Sequence, residues 1–500
     1  MTSPLSLLAV LLVPVALWQR WIFTSIPNYN MQHLLFYVAL PMFCWAWARG
    51  LWSPRRAWAR MMPLLPWVLL VVAAQAVAAW GSSLRFPVEG MPAWRAVAGS
   101  LVKLAMQLPF IVFFMELCHL LMEHAVNRRN VMRGAVAGFA ALGVLCLLQG
   151  VYAYGVGFGL ATPEGMAWYG DMLRQIAAVF ESRWGQAVYD FYGKGSYTLT
   201  IRRINGVFEE ASALAVMLGV FFVPLGFGLM GVGGAAHGGL RRLGLGMVVA
   251  AAALMVLALT STGLVLALVT MALLAGMLFR GRRRLGLTAL SATLVLVVAV
   301  AVVAPRLPRE SRELVERVAL VNVDRLPRYV LGRELLLTAA EHPLVGVGRG
   351  WSSAHVLERE GYQSAARQET ELSTWLAWGK LPILSALPEL LAEYGIPLVL
   401  AAWGGLCLLW RRLRQLRDQM PDSMALAFAS AFCGPWLVML LVASLGSFDI
   451  RNPLIALPFY CMLALARGAA NGVGSEGPNK DPNGNPAAAR TGETVPCPAP

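Results

Sequence analysis

Two arginines and two carboxylates bracket a turn where an apolar segment begins: Arg202-Arg203-Ile204-Asn205-Gly206-Val207-Phe208-Glu209-Glu210. Charges at a membrane boundary are costly unless they are paired or used. An interfacial charge belt reaching into water is one reading. The arrangement of Arg203 with Gly206 and Glu210 favours a functional one. A second cluster follows an apolar stretch. Arg328, Tyr329 and Arg333 open a predicted helix that runs to Ala340, and Pro343 ends it after Glu341 and His342. Val345-Gly346-Val347-Gly348-Arg349-Gly350 comes next. Read alone, this run is a plain turn. Beside several arginines, Gly346 and Gly348 let backbone N–H groups converge on an anion next to Arg349, which suits a phosphate or pyrophosphate. The third piece is Leu387-Pro388-Glu389-Leu390-Leu391-Ala392-Glu393-Tyr394-Gly395-Ile396-Pro397. Glu389 and Glu393 share a helix face. Acids at a helix N-terminus also stabilise it, so structural and catalytic readings both stand.

The elements that must position these residues are membrane helices. The chain has 500 residues, 58% of them hydrophobic and 14% charged, which excludes a soluble domain. A bilayer core of about 30 Å takes about 20 apolar residues per helix, and lipid forces each segment to satisfy its own backbone. Apolar runs predict about 12 spans: Leu5 to Ile26, Leu34 to Ala48, Met61 to Trp80, Val97 to Met122, Val131 to Gly157, Ala211 to Met230, Leu243 to Leu259, Leu264 to Phe279, Leu285 to Ala304, Leu390 to Trp410, Met424 to Leu445 and Pro453 to Ala466. The last is short. The N-terminus lacks a basic leader and reads as a first span. The expected architecture is an all-α polytopic membrane protein. Its segments are spans 1–9 over residues 1–304, a large helical loop over 305–388, spans 10–12 over 389–470 and a disordered tail over 471–500.

The net charge of +14 comes largely from basic residues at the ends of apolar segments. That pattern is positive-inside topology and excludes a nucleic-acid partner. The clusters Arg49 to Arg60, Arg128 to Arg133, Arg241–Arg242, Arg280 to Arg284 and Arg411 to Arg417 all follow even-numbered spans. Both termini are therefore expected in the cytoplasm and the 305–388 loop outside. That loop holds ten Arg, one Lys and ten acids. Thr260 to Gly263 turns a tight outer hairpin. In the outer loop 158–205, Met172, Ile176, Phe180, Trp184 and Val188 recur every four residues. They predict a helix lying in the interface plane or packed on the bundle. Glu116 and His119 are spaced to pair within the fourth span, and Lys103 is expected to snorkel outward. The seven cysteines form neither a disulfide framework nor a metal pattern. No internal repeat marks a transporter.

These pieces together resemble the O-antigen ligase / O-antigen polymerase superfamily of bacterial inner-membrane proteins. Arg203, Gly206, Phe208 and Glu210 match its middle-span opening, and Ser261 with Gly263 matches its hairpin turn. Arg328 is followed by Glu341-His342-Pro343-Leu344-Val345-Gly346-Val347-Gly348, and Leu391 to Pro397 matches the last element. The resemblance covers roughly residues 200–400. Two departures stand out. Thr262 occupies the place of a family arginine, and Leu384-Ser385 the place of a ligase His-Asn pair. The missing histidine favours a polymerase over a ligase.

The resemblance implies glycan transfer from an undecaprenyl-pyrophosphate-linked oligosaccharide at the periplasmic face. It implies no cofactor and no metal, a flippase and a chain-length regulator as partners, and membrane lipids around the chain. Arg203, Arg328, Arg333 and Arg349 are expected to hold the pyrophosphate. Glu210, His342, Glu389 and Glu393 are the candidates for activating the acceptor hydroxyl. An O-antigen ligase is the nearest alternative, and a polysaccharide transporter the alternative of a different class.

Overall fold

The computed structural model describes residues 4–22, 34–87, 92–157, 160–162, 164–169, 172, 204–208, 211–232, 238–281, 327–367, 372–373, 376, 385–446 and 453–470. These residues are all-α and contain no strand. In chain order the helices are α1 (Pro4–Ile22), α2 (Leu34–Ala48), α3 (Pro54–Met61), α4 (Leu65–Arg85), α5 (Ala93–Ala105), α6 (Leu108–Glu123), α7 (Ala125–Gly157), α8 (Ala211–Met217), α9 (Val223–Gly231), α10 (Gly238–Leu257) and α11 (Ser261–Gly281). Then come α12 (Pro327–Glu341), α13 (Ser352–Leu357), α14 (Glu360–Ala366), α15 (Ala386–Tyr394), α16 (Ile396–Gln419), α17 (Met424–Ser444) and α18 (Pro453–Ala470).

Eight helical stretches among the described residues are long and apolar enough to cross a membrane, and three shorter apolar helices accompany them. Every expected span overlaps one of these except the ninth, 285–304, which lies outside the described residues, and the tenth opens at Ile396 rather than Leu390, after a break at Gly395. So do most of the expected in-plane helix, the first part of the 305–388 loop and the tail.

Prolines explain where the helices depart from the expected spans. The fourth span breaks at Met106 and Gln107, ahead of Pro109, into α5 and α6. A proline ring displaces the carbonyl four residues back and disfavours helical geometry just before it. Pro63 and Pro66 put a 3₁₀ turn, Met62–Leu64, between α3 and α4. Pro224 follows a π turn, Leu218–Phe222, that joins α8 to α9.

The stretch Ala211–Gly231 forms the centre of the bundle. Its apolar window is 94% buried, against 11% for Pro54–Arg85 at the periphery. A helix apolar all round is a core helix. Lipid is as apolar as leucine, so close packing rather than hydrophobicity must hold such helices together. At the crossing of α9 and α10, a Cβ on Gly226 would fall 2.8 Å from the Gly244 carbonyl oxygen, and one on Gly244 2.5 Å from that of Gly226. Only a glycine pair lets these backbones touch. The 327–367 segment folds over the bundle end with a small core of its own, in which Leu331, Leu335, Val356 and Tyr362 pack with Ala392 of α15.

Candidate functional site

The motif segments, far apart in sequence, meet at one end of the bundle. Gln149 of α7 clamps the turn at 204–208. Its Oε1 accepts from the Asn205 and Gly206 N–H groups at 3.3 and 2.7 Å, and its Nε2 donates to the Gly206 carbonyl at 2.9 Å. The hairpin between α10 and α11 lies beside this turn. Gly263 N donates to Thr260 Oγ1 at 2.9 Å, and the Tyr154 hydroxyl, one turn beyond Gln149, donates to the Leu257 carbonyl. Ala386 N donates to the Gly446 carbonyl at 3.2 Å, which ties the start of α15 to the end of α17. The arginine clusters sit at the opposite end. Arg128 to Arg133 open α7, Arg241 and Arg242 open α10, and Arg411 to Arg417 close α16.

The Val345–Gly350 run docks between α15 and α4. Val347 N donates to the Ala392 carbonyl at 2.8 Å, and Gly348 N to that of Glu393 at 3.1 Å. Gly346 N donates to the His342 carbonyl at 3.1 Å, and Arg349 N to Gln75 Oε1 at 2.8 Å. Gly350 N donates to Glu393 Oε1 at 2.6 Å. This corrects the anion-cradle reading of Gly346 and Gly348: their N–H groups are spent inside the protein and cannot converge on a phosphate. The glycines serve close approach instead. Gly346 has φ +70° and a Cβ there would fall 2.5 Å from the Ala392 carbonyl oxygen. Gly395 has φ +78° and its Cβ would fall 2.5 Å from that of Leu344. With the Ile396 N–H donating to the Pro343 carbonyl at 2.8 Å, the two segments form a backbone clasp.

Glu393 is the buried centre of the clasp. Its Oε1 accepts from Gly350 N and, at 3.2 Å, from the Ser352 hydroxyl, and Gln75 Nε2 donates to its carbonyl at 3.0 Å. These bonds tie the 350–352 segment and α4 to α15. Glu389 is half-buried one turn earlier on α15. Arg349 points away from its own backbone bonds. Its Nη1 donates to Gln107 Oε1 at 2.9 Å, at the break between α5 and α6. Arg333 lies on α12 with a 62% exposed side chain, 3.9 Å from Glu334. Arg203 and Glu210 lie outside the described residues, and Arg328 is placed only by its backbone in α12.

His342 closes α12, its ring edge-on to that of His355 at 5.0 Å. The Nε2 of His342 is buried with no hydrogen-bond partner among the described residues. His355 is spent. The Ser82 hydroxyl donates to the Val347 carbonyl at 2.6 Å, so it accepts from His355 Nε2 at 3.1 Å. Burial, with His342 and Arg85 nearby, pushes the His355 pKa down to about 4. Arg359 forks onto Glu334 at 2.8 Å and onto both Glu341 oxygens at 2.8 and 2.9 Å. That hydrogen-bonded pairing holds the Glu341 carboxyl below its ordinary value.

The sequence reading missed Gln75, Ser82, Gln107 and Gln149. Each is a polar side chain in an apolar run, and such groups in a membrane find partners. That was the available signal. Glu116 and His119 are spaced so that they could pair, and the structure gives Glu116 other hydrogen-bond partners. The buried Glu116 takes Arg60 as its ion partner, with Arg60 Nε at 2.9 Å, and Trp52 Nε1 at 3.0 Å, rather than His119. Among the described residues no group of three His, Cys, Asp or Glu side chains is gathered as metal ligands would be. No protein-family model matches the chain, and no curated protein matches it.

Proposed function

We propose that this protein is a membrane glycosyltransferase that polymerises undecaprenyl-pyrophosphate-linked oligosaccharide repeat units at the periplasmic face of a bacterial inner membrane. One observation carries the reading. The 204–208 turn, the 260–263 hairpin, the 341–350 run and the 386–397 segment gather at the bundle end opposite the arginine clusters. A lipid-linked donor reaches such a site from the bilayer while its sugars stay in water. In the reaction the acceptor hydroxyl oxygen bonds to the anomeric carbon as the bond to the pyrophosphate oxygen breaks. The hydroxyl proton passes to a base, and the leaving group departs as undecaprenyl pyrophosphate.

Arginine supports that departure by binding the developing charge bidentately. Arg349, whose guanidinium is held by Gln107, fills this role with Arg203, Arg328 and Arg333. Among the described candidate bases, the Glu393 carboxylate already accepts from Gly350 and Ser352. His342 keeps an Nε2 with no hydrogen-bond partner among the described residues, so we favour it over Glu393, and the half-buried Glu389 is the third candidate.

The test is a gel profile of surface polysaccharide from a strain lacking the protein, complemented with native chain or Arg349→Ala. Single repeat units on lipid A core, restored to a ladder by the native chain alone, are the expected result. Long chains stranded on carrier beside bare core assign the protein to ligation instead. An unchanged ladder together with unchanged exopolysaccharide removes the proposal.

A further inference from the structure

Helical spacing places Arg129, Met132, Arg133, Val136 and Ala140 on one face of α7, since residues three and four apart lie above one another. At the arginine-rich end of the bundle, this stripe walls a cavity of about 590 Å³. Val13 of α1, Leu225 of α9, Phe428 of α17 and Leu465 of α18 complete it. The polar groups at its edge are Arg128, Arg129 and Arg133, and no carboxylate among the described residues lines it. Arg128 donates to the Met122 carbonyl and closes the end of α6. Arg129 and Arg133 are exposed.

An apolar hollow of this size forfeits the dispersion contacts of its lining if nothing fills it. In a membrane bundle the filler at hand is an acyl chain. A cavity of several hundred Å³ is the size of a small-molecule site. Paired cations at its rim match a phosphate, as basic pockets between membrane helices do.

We propose that the cavity binds an anionic glycerophospholipid from the leaflet on the arginine-rich side. One acyl chain lies along Val136 and Ala140, and the phosphate sits on Arg129 and Arg133. The site is at the far end of the bundle from the motif segments, so it stands independently of the proposed glycosyl transfer.

The test titrates the full chain, purified in a neutral detergent, with dioleoylphosphatidylglycerol and separately with dioleoylphosphatidylethanolamine. Bound lipid is counted by native mass spectrometry. The native chain takes up phosphatidylglycerol at the lower concentration. Each arginine contributes roughly fivefold to an anionic lipid, so Arg129→Gln with Arg133→Gln weakens phosphatidylglycerol roughly twenty-five-fold and the zwitterionic phosphatidylethanolamine much less. Ala137→Trp is a second variant. Ala137 is exposed and lines the cavity, so the indole fills the acyl path without entering the core. It lowers phosphatidylglycerol uptake while both arginines remain. Equal uptake of the two lipids by the native chain overturns the proposal, and so does phosphatidylglycerol binding that either variant leaves untouched.

Discussion

At the scale of single residues, the clasp depends on one carboxylate. Hydrogen bonds to a charged acceptor contribute more than neutral ones, about 1.5–3 kcal/mol each. Glu393→Gln keeps the shape and loses the charge that Gly350 N–H and Ser352 address. It should lower stability by about 2 kcal/mol, read from thermal unfolding in detergent; an unchanged midpoint would show that the charge contributes nothing. Arg349→Ala removes the guanidinium held by Gln107 and should cut ladder formation about a hundredfold at normal protein levels. His355 sets a pH dependence. Its pKa is about 4 in the folded chain against 6.5 in an unfolded one, so the unfolded chain binds the proton first. Stability from this group is therefore full above pH 6.5 and is lost as pH falls towards 4. Melting curves across that window should flatten in His355→Gln, and an equal slope in both chains would remove His355 as the cause.

At the scale of elements, the decisive contacts are backbone against backbone. Gly395 joins α15 to α16 at φ +78°, under the Leu344 carbonyl. Gly395→Ala therefore meets both a strained dihedral, at about 1–3 kcal/mol, and a collision. Protein yield and ladder formation should both fall. Gly276 of α11 has nothing within 4 Å of a Cβ, so Gly276→Ala is the control. It should hold or raise stability by about 0.5–1 kcal/mol, because alanine suits a helix interior better. Equal losses in the two variants would mean that glycine number matters rather than place. The prolines act at this scale too. Pro109 follows the break at Met106 and Gln107, and it is there that Gln107 accepts from Arg349.

At the scale of the whole molecule, the bundle has two chemically different ends. One carries the motif segments and the clasp, the other the arginine clusters. An asymmetry of this kind orients a chain, because short loops rich in arginine stay in the cytoplasm. Ser364→Cys, in the exposed part of α14, should react with a membrane-impermeant maleimide in intact cells. Arg412→Cys, at the far end of α16, should react only after lysis. The reverse pattern would invert the molecule and move the motif segments to the cytoplasm.

The sequence by itself determined the features that depend on near neighbours along the chain. Apolar run lengths located the membrane helices, because lipid demands local backbone pairing. The arginines marked one end, because charge stays where water is. The helix from Arg328 to Ala340 was legible from its opening arginines and Pro343. Only the tertiary structure decided what each polar group faces. Gly346 and Gly348 had the spacing of an anion cradle, yet their N–H groups meet carbonyl oxygens of His342 and Glu393. Glu116 had a histidine one turn away, yet Arg60 and Trp52 hold it. Gln75 and Gln149 interrupt apolar runs, and each fixes a segment remote in sequence. A hydrogen bond is short and directional, so its partner is set by what folding brings within about 3 Å, and spacing along the chain does not carry that information.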